Sequence, residues 1–86
     1  MEHLHWRSKS LDIIVKETLE QAIPESTVHV TSNGNHVSID IESPAFNGKN
    51  LLNRQRLVYS AIDHLLKGEH APLHAVDQIK TSVPSA

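Results

Sequence analysis

Residues 43–75 read SPAFNGKNLLNRQRLVYSAIDHLLKGEHAPLHA. A loop punctuated by Pro44 and Gly48 leads into a helical pattern, and the His74-Ala75 pair enters a strand. Ser43-Pro44 ends a preceding strand, Phe46 reads as a core anchor, and Asn47-Gly48 reads as a turn. Leu51, Val58, Ile62 and Leu65 form one apolar stripe, widened by Leu52, Tyr59 and Leu66, which predicts a helix from about Leu51 to Lys67. Arg54, Arg56, Asp63 and Lys67 lie mostly off that stripe, and Gly68 suits its end. Leu73–Thr81 reads as a strand, although Val76 and Asp77 blur its alternation.

Upstream, Leu11, Ile14, Val15, Leu19, Ala22 and Ile23 recur at helical spacing. Ser8 or Ser10 can cap the start, Asp12 favours the first turn, and Pro24 stops the pattern. A helix is expected from about Ser10 to Ala22. Val28 and Val30 then alternate with His29 and Thr31, and Val37, Ile39 and Ile41 with His36, Ser38, Asp40 and Glu42. Ser32-Asn33-Gly34-Asn35 between these runs predicts an antiparallel hairpin. The expected register puts Thr31 opposite His36 and His29 opposite Ser38, all four pointing away from the core. His29 and His36 then become diagonal neighbours roughly 7 Å apart.

The element order is helix, two-strand hairpin, short irregular turn or helix, long helix, strand. It predicts one α+β domain over residues 1–86: a three-stranded mixed sheet with helices on one face. Residues 1–9 and 82–86 are expected to be flexible ends. The uncovered sheet face is left to water, with His29, His36 and Ser38 on it.

Composition narrows the chemistry. The 86 residues contain no cysteine, which excludes a disulfide framework, a thiolate metal site and a cysteine nucleophile. Trp6, Phe46 and Tyr59 are the only aromatic residues, too few for a base-stacking surface. A formal charge of −2 supplies no field for phosphates. Seven histidines would carry that charge to +5 if all were protonated. No apolar run approaches the ~20 residues that span a bilayer, and the start lacks an apolar signal core. An intracellular chain is expected, cytoplasmic or organellar, neither secreted nor in a membrane. No nucleophile elbow, phosphate-binding loop or paired-carboxylate motif is present, so no enzyme is expected.

Three pieces in this order, Phe46-Asn47-Gly48-Lys49, Leu52–Tyr59 (LNRQRLVY) and Leu73-His74-Ala75, resemble the BolA family. The likeness covers about Leu11 to Pro84. The short hairpin NGNHVSI is similar to the compact branch of that family, and KTSVP near the end to mitochondrial-type members. Longer members of that family carry a final helix, and no helical pattern is expected after the last strand here. The resemblance implies an α-β-β-α-α-β fold akin to the type II KH arrangement. It also implies a non-enzymatic partner of monothiol glutaredoxins in iron–sulfur cluster maturation or trafficking, or in iron regulation.

On that resemblance, His74 is the expected ligand to a [2Fe-2S] cluster shared with glutaredoxin and glutathione. His36 is the expected second ligand and His29 the fallback. Neutral imidazole suits iron, and a pair of imidazoles with a pair of thiolates resembles Rieske-type ligation. The isolated chain, expected to be monomeric, would hold no cluster. Arg54 and Arg56, with Lys49 and Lys67 as weaker candidates, are the expected partner-docking residues, because a guanidinium pairs bidentately with carboxylates. His64 reads as a surface residue. His70 lies near His74 in sequence, and His3 and His5 lie near the start. The rival reading is a KH-like nucleic-acid-binding regulator, but KH domains clamp the backbone with Gly-x-x-Gly. Here Asn47-Gly48-Lys49-Asn50 offers one glycine, so at most weak nucleic-acid binding is expected.

Overall fold

Helix α1, Leu11–Ala22, opens the fold in the computed structural model, which describes residues 10–68 and 71–85. Strands β1, Thr27–Asn33, and β2, His36–Glu42, follow. A 3₁₀ turn at Pro44–Phe46 leads to helix α2, Leu51–Leu66, and strand β3, Ala75–Ser82. The sheet order is β1-β2-β3, with β1 antiparallel and β3 parallel to the central strand. This is the expected α+β class with a three-stranded mixed sheet. The parallel pair is possible because α2 forms the crossover connection.

One face of the sheet carries the core. Val28, Val37, Ile39 and Ile41 meet Val15, Leu19 and Ile23 from the α1 segment and Val58, Ile62 and Leu65 from α2. Phe46 is fully buried, as its place after Ser43-Pro44 predicts, and so is Leu73. The α2 stripe is narrower than expected. Leu51 and Leu52 are 63% and 54% exposed and Tyr59 is 43% exposed, while Leu57 and Ala61 pack against the core instead. Ala22, at the last turn of α1, is likewise exposed.

The caps differ in detail from the expectation. Ser10 occupies the N-cap position of α1, but its side chain makes no capping bond. Its hydroxyl instead donates to the Asp12 carboxylate, which holds that group below the usual carboxylate range. Ser8 lies outside the described residues. At α2 the cap is Asn50, whose Oδ1 accepts from the Asn53 amide at 2.9 Å.

The hairpin is tighter than expected. Asn33 pairs with His36, leaving Gly34-Asn35 as a two-residue loop. Gly34 has φ +63°, and it stands at the first central position, where a II′ turn takes glycine. Thr31 therefore faces Ser38 and His29 faces Asp40, a shift of two residues from the expected register. A two-residue shift keeps every side chain on its face. His29 and His36, however, are no longer neighbours. Four residues of strand rise put them about 14 Å apart.

β3 pairs Val37 with Val76 but Ser38 with Gln78, so Asp77 is an extra residue in a bulge. The cause is readable in Val76-Asp77-Gln78-Ile79. Both apolar residues lie opposite core residues, Val37 and Ile39. Two polar residues between them cannot be accommodated by strict alternation. At the far end Ser82 pairs with Glu42, and Val83 packs against the core.

Candidate functional site

The hairpin loop and the entrance to β3 meet at one rim of the sheet. The His74 amide donates to the Asn35 carbonyl at 2.9 Å, which extends the β2–β3 ladder by one step into the loop. Just before it, the Leu73 amide donates to the Leu65 carbonyl at 3.2 Å, tying the same segment to the end of α2. Leu73 is buried and His74 exposed. The backbone at His74 is therefore held by an apolar anchor on one side and a strand bond on the other, while its ring lies at the surface.

His36 pairs with Ala75, the residue after His74. Strand spacing and rise then place the His36 and His74 Cα atoms about 6 Å apart. His36 and His74 thus share a rim. His29, opposite Asp40 in the middle of the wet face, does not. It lines a separate polar groove of about 200 Å³ with Thr31, Ser38, Asp40, Gln78 and Lys80.

Each rim imidazole has a side-chain neighbour. His36 Nδ1 lies 2.9 Å from Asp77 Oδ1, with the two side chains 49% and 50% exposed. An ionised carboxylate only accepts, so Nδ1–H of His36 donates and the neutral ring keeps its lone pair on Nε2. Asn35 Nδ2–H donates to His74 Nε2 at 3.3 Å, a long and exposed contact. The lone pair of His74 is thus engaged, weakly, and that of His36 has no partner among the described residues. Neither Asp77 nor Asn35 was among the expected site residues. The two polar residues between Val76 and Ile79 were the available pointer to Asp77.

The basic candidates sit elsewhere. Lys49 and Arg56 are exposed. Arg54 is half-buried and its Nε donates to the Lys49 carbonyl at 2.8 Å, which ties the guanidinium to the start of its own helix. Arg54 lies about 16 Å of helix rise from Leu65, the helix residue bonded beside His74. Lys67 is paired with Asp63 at 2.7 Å, and its hydrogen bond to that carboxylate raises its pKa. His64 is exposed in the last turn of α2. His3, His5 and His70 lie outside the described residues.

Among the described residues, no three His, Asp or Glu side chains converge as a metal site, and none of the 86 residues is cysteine. Two imidazoles on one rim supply half of a four-ligand set for an iron–sulfur centre, with no thiolate. This fits a centre completed by other molecules and not one held by this chain alone. No described helix is long and apolar enough to cross a membrane.

The sequence model for BolA-like protein matches residues 8–86. A solved BolA homologue from Coxiella burnetii superposes with a TM-score of 0.74 at 28% identity, covering 88% of this chain and 94% of that one. The BolA domain of SufE1 from Arabidopsis thaliana gives 0.69 at 29% identity, with the same coverage of 88% and 94%. An uncharacterised protein of Buchnera aphidicola is 34% identical over 67 residues, 78% of this chain and 81% of that protein.

Proposed function

The chain belongs to the BolA family, and from that membership and the geometry of the rim we propose that it is a non-enzymatic adaptor for a monothiol glutaredoxin. With that partner and glutathione it holds a [2Fe-2S] cluster, for maturation, trafficking or iron regulation inside the cell. His74 and His36 are its ligands to the cluster. The partner's cysteine and the glutathione thiol complete the set. When bound, the cluster supplies one-electron chemistry, at a potential raised by imidazole relative to all-thiolate ligation.

The observation that carries this reading is the bond between His74 and Asn35, which brings two exposed imidazoles to one rim of a cysteine-free chain. His29 drops out of the ligand set because its place on β1 puts it four residues of strand from His36. Lys49, Arg54 and Arg56 serve docking. Their distance from the rim suits a partner of domain size, which can touch the rim and the start of α2 at once.

The test is a titration of cluster-loaded glutaredoxin, in glutathione, with the purified chain. The visible spectrum is expected to change, and His74→Ala to abolish the change. A His74→Ala variant that reproduces the wild-type spectrum would reject that ligand. Salt-sensitive retention of an oligonucleotide, with no response to loaded glutaredoxin, would instead favour nucleic-acid binding.

A further inference from the structure

Asp77 is present in the strand for a packing reason and carboxylic for another. The bulge needs one extra residue between Val76 and Ile79 so that both apolar side chains reach the core face. Any polar residue would satisfy that requirement. What the bulge adds is direction. A bulge re-aims a side chain, and here the carboxylate meets His36 Nδ1 at 2.9 Å across the β2–β3 pair. As an ion pair between two half-exposed groups it contributes little to stability.

We propose that Asp77 is a positioning residue. By accepting Nδ1–H of His36 it fixes the ring's tautomer and rotation and presents the Nε2 lone pair at the rim to an incoming metal centre. The inference rests on the reading of His36 as a ligand and extends it to the residue that prepares it. A ligating imidazole generally donates its other N–H to a carboxylate, carbonyl or water, and that partner sets the ring's orientation and basicity. Here the arrangement already exists in the chain by itself. It also makes the two rim histidines unequal. Nε2 of His36 is ready to ligate, whereas Nε2 of His74 must first release the Asn35 amide. His36 is therefore the ring held in place before the cluster arrives, and His74 the ring that adjusts.

The first measurement needs no cluster. In the ¹⁵N-labelled chain at about pH 8, where imidazole is neutral, His36 should show a protonated Nδ1 and a bare Nε2. Asp77→Asn, whose amide oxygen can still accept, should keep this tautomer. Asp77→Ala should lose it while the backbone amide spectrum of β3 stays dispersed. The second measurement repeats the glutaredoxin titration with Asp77→Ala and His36→Ala. Asp77→Ala should need about tenfold or more chain for the same spectral change, with Asp77→Asn between it and wild type. An unchanged His36 tautomer in Asp77→Ala overturns the proposal. So does a titration in which His36→Ala is impaired and Asp77→Ala overlays the wild type, an outcome that leaves the ligand reading intact. If His36→Ala also overlays the wild type, the assignment of His36 as a ligand fails and Asp77's role fails with it.

Discussion

Single atoms decide several properties of this chain. Thr81 sits opposite Ile41 on the core side of β3, and its Oγ1 is buried without a hydrogen-bond partner among the described residues. A buried hydroxyl that bonds to nothing keeps the cost of its desolvation. Thr81→Val replaces that hydroxyl with a methyl of similar shape and is expected to raise stability by about 1 kcal/mol. A rise in the urea midpoint at unchanged m-value is the check, and a fall would mean that the hydroxyl is satisfied. Asp12 shows the reverse situation. The Ser10 hydroxyl, helped by the Ile13 and Asp12 amides, stabilises its ionised form. Its folded pKa therefore lies below its unfolded one. The contribution is present above the ordinary aspartate range and is lost as pH falls through the folded value. Ser10→Ala should move the Asp12 titration midpoint upward when followed by carboxyl ¹³C NMR. An unmoved midpoint would exclude the hydroxyl as its cause. Lys67 behaves oppositely. The Asp63 carboxylate raises its pKa, so its contribution holds below the ordinary lysine range and disappears as pH rises through the folded value.

At the level of elements, the joints matter more than the elements. Ser43 is fully buried between β2 and the 3₁₀ turn, and it joins three segments. Its hydroxyl donates to the Pro24 carbonyl at 2.7 Å and accepts from the Ala45 amide at 3.1 Å, while its own amide donates to the Ser82 carbonyl at 3.0 Å. One side chain thus links the end of α1, the start of the 3₁₀ turn and, through its backbone, the end of β3. Ser43→Ala leaves two part-buried backbone groups, the Pro24 carbonyl and the Ala45 amide, without this partner and is expected to cost about 1 kcal/mol. Denaturant unfolding reads this directly, and a loss within ordinary surface-mutation noise, about 0.5 kcal/mol, would argue against the joint. The helices, the hairpin and the third strand were all legible from periodicity, because each buries one face against the same core. The joint was not, since Ser43-Pro44 reads locally only as a stop. The bulge was half legible. Val76 and Asp77 broke the alternation, but the pairing that turns a broken pattern into an aimed carboxylate involves β2, some forty residues earlier.

Over the whole molecule, the chain path sends ligand and docking candidates to different places. β2 runs from the rim to Ser43, α2 returns, and β3 starts again beside the hairpin loop. His36 and His74 consequently meet where β2 and β3 begin, and Lys49 and Arg54 lie where α2 begins. If the proposed function holds, His74→Ala should abolish the spectral response to cluster-loaded glutaredoxin while leaving the fold intact by circular dichroism.

The amino-acid sequence by itself determined the element order, the apolar faces, the lack of any thiolate and the family to which the chain belongs. These follow from local periodicity, turn chemistry and composition, all of which act over a few residues. Only the tertiary structure decided the register of the hairpin, the separation of His29 from His36, the meeting of His74 with Asn35 and that of Asp77 with His36. Each of these depends on which strand positions lie opposite one another. That choice is made by packing one continuous core across distant segments, and no short stretch of sequence contains it.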